Sequence, residues 1–379
     1  MDEDMIENDE EIISIANPEV VDKFKAAATV ANAALAYVAG LCQPGASVIE
    51  VCKAGDAYIE AETAKVFAKK KFLRGTSFPT CISVNNTVCN FSPLSSDPAV
   101  VIQEGDVVKI DLGAHFDGYP SQIGHTIVAT ANPQQPITGR KADVICAAHF
   151  AGECALRLCR PGNKASQITK VIQDVADVFK CNPVADFRSF QVERNVIEGE
   201  KSIPNRKNEE ENDEDCTFAE NEVYILDILM SSGSGKPKLG DAKTTVYKKT
   251  ENMYNLKLAA SRYVLTEASK RFGNFPFTLR SLDEKRGRLG IVECSKNNLM
   301  DDYPVVYEQD GEFVAQFKFT VLLLPNSIQK LNAFNLPFVQ SEYNITEPAL
   351  TSVLQMGLKR KSNAKKKKKK KKKAATQAM

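Results

Sequence analysis

The sequence "VVKIDLGAHFDGYPSQIGHTIV" at residues 107–128 contains two runs rich in β-branched residues, separated by Asp117-Gly118. Asp-Gly between two such runs is a strong local signal for a tight turn, so the segment predicts a β-hairpin. Alternation along the first strand places Asp111 on a polar face, with no obvious partner for its carboxylate. A charge on a sheet face inside a protein needs a compensating group, so the hairpin raises the question of what lies opposite Asp111.

Composition indicates a chain that can bury a sizeable core. The 379 residues are 43% hydrophobic, which fits one large domain or two ordinary ones. The formal net charge of +1 hides a strongly polar molecule, because twelve of the 49 Lys and Arg residues lie between 359 and 373. None of the 48 acidic residues lies there, so residues 1–358 carry a net charge of −11.

Cysteine usage and the N-terminus point to a reduced compartment. The ten cysteines include no C-x-x-C pair, and "MDEDMIENDEE" is too acidic for a signal peptide. No apolar run reaches the roughly 18 to 20 residues that span a bilayer. The sequence therefore predicts a soluble intracellular protein without membrane insertion.

Helical spacing of apolar residues predicts two pairs of helices. The first pair runs from Pro18 to about Leu41 and onward from Ser47, and the second pair covers 138–159 and continues from Ser166. Each pair is joined by a similar turn, "LCQPG" at 41–45 and "LCRPG" at 158–162. This weak repeat suggests two related halves, although helix-ending Pro-Gly turns are common enough to coincide by chance. "CISVNNTVCNF" at 81–91 alternates like a strand between the first pair and the hairpin.

The second half contains two further strands separated by a change in composition. "NEVYILDILMSSGSGK" at 221–236 is a strand that ends in a Gly/Ser-rich connection, and "GEFVAQFKFTVLLLP" at 311–325 carries Gln316, Lys318 and Thr320 on one polar face. Residues 237–304, which lie between these two strands, are predicted to form a basic, partly helical insertion. The acidic loop 207–215 is expected to be mobile.

These motifs resemble a known family over nearly the whole chain. The order of "KIDLGAHFDGY", "NEVYILDILMSSG" and "EFVAQFKFTVLL" resembles the methionine aminopeptidases of the second class. "GRKADVICAAH" and "PFTLR" resemble still more closely the proliferation-associated, ErbB-receptor-binding proteins, which look like that enzyme without its activity. The resemblance implies an α+β, two-halved pita-bread (creatinase-like) fold. Residues 13–236 and 305–345 would form this domain, 237–304 the insertion, and 1–12 and 346–379 disordered acidic and basic ends.

The resemblance also accounts for the isolated Asp111, because the enzymes hold two divalent ions with two Asp, one His and two Glu. At the five matching positions this sequence has Asp111, Gln122, Phe190, Asp227 and Lys318, and the substrate-side His is replaced by Asn90. An amide is a poor anionic ligand, a phenyl ring has no lone pair, and an ammonium repels a cation. We therefore expect no catalytic residues, no metal and no other cofactor, and we expect the Lys318 ammonium to pair with both Asp111 and Asp227. The alternative that Lys318 extends to solvent stays open.

The C-terminal basic run is the strongest binding signal. A tail this dense in charge neutralises phosphates and releases counterions without reading sequence. The predicted RNA-binding residues are Lys359, Arg360, Lys361, Lys365, Lys366, Lys367, Lys368, Lys369, Lys370, Lys371, Lys372 and Lys373. Weaker candidates lie in the insertion: Lys248, Lys249, Lys285, Arg286 and Arg288. A solubilising tail with no specific partner is the alternative.

The resemblance implies a ribosome-associated protein in cytoplasm, nucleus and nucleolus. Its expected partners are ribosomal RNA and the large subunit, with other RNAs and ribonucleoproteins possible. Receptor and corepressor partners stay open, since "LTSVL" at 350–354 has Val353 where the L-x-x-L-L motif has Leu. The runner-up hypothesis is a residual one-metal aminopeptidase, or a binder of peptide N-termini, around Asp111 and Asp227. His115, His125 and His149 are expected to be solvent-facing or satisfied core histidines.

Overall fold

The computed structural model describes residues 14–208 and 215–359. The acidic N-terminus 1–12, most of the acidic loop 207–215 and every tail residue after Lys359 lie outside the described residues.

A nine-stranded antiparallel sheet forms the centre of the molecule. Its strands are β1 (Arg74–Val84), β2 (Val107–Phe116), β3 (Tyr119–Val128), β4 (Asn182–Pro183), β5 (Arg188–Gln191), β6 (Ser202–Pro204), β7 (Val223–Ser231), β13 (Val314–Leu324) and β14 (Ser327–Lys330). The main path of the sheet runs in the order β1, β2, β3, β13, β7, β5 and β6, with β14 paired to β13 and β4 paired to β7. The predicted hairpin is confirmed as β2 and β3, which join at Asp117 and Gly118, both with positive φ.

Two helix pairs cover the sheet, each with its own apolar cluster. The helices are α1 (Pro18–Leu41), α2 (Val48–Lys65), α3 (Gly139–Leu158) and α4 (Ala165–Val178). Helices α1 and α2 share a buried cluster with β2, whereas α3 and α4 share another with β7 and β13. The molecule therefore has two similar helix-on-sheet halves around one continuous sheet.

Helix α1 begins at Pro18, a favourable first helical residue, and Asn17 caps it by accepting a hydrogen bond from the Glu19 amide. By length and composition this helix could cross a membrane, which the sequence analysis did not expect. Its apolar side chains, among them Phe24 and Leu35, are buried against β2 and β3. Packing in the core accounts for its hydrophobicity.

Strand β1 begins and ends earlier in the sequence than predicted. It covers Arg74–Val84 instead of 81–91, and its pairing with β2 shifts register on either side of Phe78. These irregularities accommodate Pro79, which would normally interrupt a strand. The chain then turns away at Asn85 and again at Asn90, both of which have positive φ.

Residues 246–303 form a small α+β unit beside the sheet. It contains β9 (Val246–Lys249), α5 (Ala259–Arg271), β10 (Phe277–Thr278), α6 (Glu284–Lys296) and β11 (Met300–Tyr303). A two-stranded ladder of β8 (Lys238–Leu239) and β12 (Val306–Tyr307) joins the entry and exit of this unit. The buried Glu308 carboxylate fixes the Gly/Ser-rich connection by accepting hydrogen bonds from Ser231 Oγ, Ser234 Oγ and the Gly235 amide.

The chain after residue 345 is ordered further than predicted. Residues 348–354, which the sequence analysis assigned to the disordered tail, form helix α7 (Pro348–Leu354). Leu350 is 3% exposed and packs with the α3 and α4 cluster, and Lys359 bridges to Ser327. The boundary at 346 was wrong because a short apolar helix can be ordered by docking into a groove formed elsewhere in the chain.

Candidate functional site

The site lies in one transverse row of residues across four neighbouring strands. Asp111 on β2 is directly opposite Gly124 on β3, Gly124 is opposite Lys318 on β13, and Lys318 is opposite Asp227 on β7. Residues opposite one another on paired strands point to the same face of a sheet. The backbone register alone therefore brings both carboxylates and the ammonium together.

Gly124 allows the ammonium to reach the more distant carboxylate. A Cβ atom at this position would lie 2.8 Å from Lys318 Cβ, which is closer than real Cβ atoms approach. Since glycine adds no side chain to the row, the Lys318 stem passes over β3 to Asp111.

Two ion pairs hold Lys318 in place. Its Nζ lies 2.5 Å from Asp111 Oδ2 and 3.0 Å from Asp227 Oδ2. The Lys318 side chain is only 8% exposed, which excludes the alternative that it extends to solvent. The prediction that Lys318 pairs with both acids is confirmed, and its ammonium is the group that compensates the Asp111 carboxylate.

A third residue completes the polar cluster. Gln316 Nε2 donates a hydrogen bond to Asp227 Oδ1 at 2.8 Å and lies 3.5 Å from Asp111 Oδ2. The Asp111 Oδ1 atom, by contrast, is buried without a hydrogen-bond partner among the described residues. Sequence alternation placed Gln316 on the right face, but it could not indicate which carboxylate the amide would reach.

Burial and neighbouring charges shift the pKa values of Asp111 and Lys318. Burial has the largest influence on Asp111 and raises its pKa to about 6 against the opposing effect of Lys318, with Asp227 adding to the rise. Burial alone would lower the pKa of Lys318, but Asp111 and Asp227 outweigh it and hold that pKa above its ordinary value. Lys318 therefore stays charged in the cluster.

The other residues at positions that match the enzymes' metal and substrate ligands line a cavity of about 310 Å³ above the row. Phe190 on β5 contributes a ring, Gln122 Nε2 approaches the Ser77 carbonyl at 3.4 Å, and Asn90 Nδ2 donates to the Pro304 carbonyl at 3.1 Å. The structure thus brings together every residue predicted for the former metal and substrate site.

This donor set does not fit a divalent metal. Such ions need several anionic or lone-pair ligands, whereas an ammonium here contacts both carboxylates and Phe190 offers no lone pair. Within 14–208 and 215–359, no cluster of three or more His, Cys, Asp or Glu side chains could hold a metal ion.

The basic candidates of the insertion are largely engaged within the protein. Lys248 pairs with Glu198, which also accepts a hydrogen bond from Tyr303 Oη at 2.6 Å at the cavity wall. Arg288 pairs with Asp97 at 3.2 Å, and Arg286 lies over the ring of Tyr263. Lys249 donates to the Thr250 carbonyl at 3.2 Å, and Lys285 is exposed.

The three histidines are enclosed by aromatic rings. His115 packs on Phe275, and His125 and His149 both pack on Phe317; His115 and His125 are at most 4% exposed. His115 Nδ1 and His125 Nε2 have no hydrogen-bond partner in the described chain, so these two are core residues that are not fully satisfied.

Comparisons with known proteins agree with this geometry. Residues 22–232 match the family model described as metallopeptidase family M24. The Arabidopsis thaliana protein named ErbB-3 binding protein 1 is 46% identical over 359 residues, which cover 94% of this chain and 90% of the relative. The solved structure of a thermophilic Arx1 is 31% identical, with a TM-score of 0.86, and covers 91% of this chain and all of that one. A methionine aminopeptidase from Thermotoga maritima shares the fold at 17% identity, with a TM-score of 0.57, and covers 85% of this chain and 100% of that one.

The chain belongs to metallopeptidase family M24. The predicted pita-bread, methionine aminopeptidase-like fold is confirmed, as is the resemblance to the ErbB-receptor-binding branch of that family.

Proposed function

We propose that this protein is a non-enzymatic RNA-binding, ribosome-associated factor built on an aminopeptidase fold that has lost its metal site. The observation that carries the non-enzymatic part of the proposal is the Lys318 ammonium between Asp111 and Asp227. It lies where a metal-dependent peptidase would need its cation, and a hydrolytic water there would have no Lewis acid to lower its pKa.

Binding to RNA is supported by the basic run that follows Lys359 and by the similarity to ErbB-3 binding protein 1 and to Arx1. We place its action on ribosomal RNA and the large subunit, in ribosome biogenesis, rRNA processing and translation. The expected locations are cytoplasm, nucleus and nucleolus, because a dense lysine run serves both nuclear import and RNA contact.

The test compares the full chain with a chain that ends at Lys359, which keeps the bridge to Ser327 intact. If the tail engages about six phosphates, its removal should reduce the slope of log K against log salt by about 4, at roughly 0.7 per phosphate. A variant with Gln at 365–373 keeps the tail length and serves as the matched control for charge. Co-sedimentation with ribosomes should weaken in both variants; an unchanged salt slope would reject the tail as the electrostatic anchor.

A second candidate function, capture of a peptide N-terminus, is favoured by one observation. Asp111 Oδ1 is a buried acceptor without a partner in the described chain, and Asp111 lines the cavity. The α-ammonium of a peptide could donate a hydrogen bond to this oxygen. Calorimetry with a Met-Ala peptide should then detect binding that Asp111→Asn abolishes; stoichiometric metal together with cleavage of this peptide would instead indicate a residual aminopeptidase.

A further inference from the structure

Three consecutive exposed lysines occupy the connection between α2 and β1. We call residues 66–73, "VFAKKKFL", the lysine loop. The ammonium groups of Lys69, Lys70 and Lys71 make no ion pair or hydrogen bond with any residue in the described parts of the chain, and all three side chains are exposed. Nothing in the sequence pattern distinguishes these lysines from an ordinary solvated surface near a helix end.

The lysine loop is fixed to the body of the protein. The Lys70 amide donates to the Phe67 carbonyl at 2.8 Å, and the Arg74 guanidinium donates to the carbonyls of Val66, at 2.6 Å, and Lys70. Phe67 packs edge-on against Phe116 of the core, with ring centroids 5.4 Å apart. The three ammonium groups are therefore displayed from an anchored turn, so a ligand would order little additional backbone on binding.

The loop adjoins the insertion. A Cβ atom on Gly273, two residues after the end of α5, would lie 3.2 Å from Leu73 Cδ2, and Arg271 lies 3.6 Å from Glu60 of α2. Lys270, in the last turn of α5, is exposed and has no ion-pair partner in the described chain. The lysine loop and the end of α5, which carries Lys270, therefore lie next to each other.

Several other basic residues, by contrast, already have an acidic partner. Lys248 and Arg288 of the insertion, and Lys53, Lys65 and Lys170 on the helices, each pair with a nearby carboxylate. A cation already paired with a carboxylate gains less from a phosphate than a cation without a partner, because the existing pair must first be broken.

We propose that the lysine loop, together with Lys270, is an RNA-docking surface on the folded body, which contacts the phosphate backbone and holds RNA beside the insertion. This inference rests on the proposed RNA-binding function and names a second contact for it, separate from the tail. Consecutive lysines on an anchored turn suit phosphates spaced along a strand, and they contribute affinity without sequence preference.

The experiment uses the full chain with Lys69, Lys70 and Lys71 all changed to Gln. The matched control changes Lys53, Lys164 and Lys170 to Gln, which removes the same net charge from paired positions outside the loop. The probe is a fluorescein-labelled RNA of mixed sequence, with anisotropy measured over a series of potassium chloride concentrations. Thermal melting verifies that each variant is folded.

The loop variant should lose about 2 units of salt slope, at roughly 0.7 per phosphate, and on the order of tenfold or more in affinity. The control should match the parent, the triple Arg variant at 69–71 should bind normally, and adding Lys270→Gln should weaken the loop variant further. An equal loss in the loop variant and the control, or no loss in either, would overturn the inference. A loop variant that loses binding to phosphatidylserine vesicles but not to RNA would also overturn it, whereas absence of RNA binding by the parent chain would reject the proposed function itself.

Discussion

Two buried lysines on the same sheet have opposite electrostatic surroundings. Lys318 lies between Asp111 and Asp227, and its pKa is raised. Lys109, two residues before Asp111 on β2, is 1% exposed and donates to two main-chain carbonyls, Asn85 O at 2.8 Å and Val314 O at 3.1 Å. Burial lowers the pKa of Lys109 to about 7, against small opposing effects of Cys89 and Asp106.

Burial is almost equal in the two cases, so the formal charge of the partners decides the outcome. Carbonyl dipoles satisfy the hydrogen-bonding needs of an ammonium but offset little of its desolvation, whereas two carboxylates offset it fully. The row through Lys318 therefore depends on a charged lysine, whereas the position of Lys109 does not.

The largest effect is expected from Lys318→Met. This change leaves two acids in a buried site without a cation and should lower the free energy of unfolding by about 3 to 5 kcal/mol, measured by urea denaturation. The double variant Lys318→Met with Asp111→Asn removes one of the uncompensated charges and should recover part of that loss. A single variant as stable as the parent would show that the triad contributes nothing to the fold.

Gly124→Ala tests whether the geometry of the row matters as much as its charges. The new methyl group would overlap the Lys318 stem, so we expect a loss of about 1 to 3 kcal/mol in the same measurement. Gly40→Ala in α1 is the control, since a methyl group there meets no atom within 4 Å and should stabilise the helix by roughly 0.5 to 1 kcal/mol. Equal behaviour of the two alanine variants would argue against a tight row.

Lys109 predicts a pH dependence of opposite sign to that of Lys318. Its folded pKa of about 7 lies below the ordinary 10.5, so the unfolded chain binds more protons between these values and stability rises with pH there. The raised pKa of Lys318 matters only above 10.5, where stability would fall. Between roughly pH 7 and 8.5 the parent should gain about 1 to 2 kcal/mol from Lys109, at about 1.4 kcal/mol per pH unit at most.

Lys109→Met should remove that gain while changing stability at pH 7 by no more than about 1.5 kcal/mol. Urea denaturation of both chains across this window measures the difference. A variant that keeps the full pH slope would assign the slope to other groups.

The smallest effect is expected for partial repair of the former metal site. Phe190→His or Gln122→Asp alone should give no cleavage of Met-Ala peptides with added Mn²⁺ or Co²⁺, because Lys318 still contacts both acids and the ligand set stays incomplete. A methionine aminopeptidase assayed in parallel verifies the substrate. Turnover by either single variant would contradict the view that the Lys318 row excludes metal.

The sequence predicted those features of the site that depend on a local sequence pattern or on the pairing of opposite charges. Asp117-Gly118 identified the hairpin, and alternation along 311–325 placed Lys318 on the polar face. The family resemblance then aligned Asp111, Asp227 and Lys318 at one place, where charge complementarity required them to pair.

Features that depend on distant segments were not predicted. The start of β1 was missed because Pro79 disfavours a strand and only the register shifts against β2 accommodate it. Helix α7 is too short to be stable alone, and its order depends on a groove that buries Leu350. The lysine loop looked like ordinary solvated charge, since its anchoring by Phe67 and its proximity to α5 are tertiary contacts.

The position of Lys318 makes the cation of this site part of the polypeptide. A metal stabilises a fold by mass action, so its contribution varies with the concentration of free ion and disappears in a chelator. The Lys318 ammonium has no such dependence, because every chain carries one and it cannot dissociate. The centre of this sheet should therefore assemble identically in metal-starved and metal-replete cells, and EDTA should leave its melting temperature unchanged.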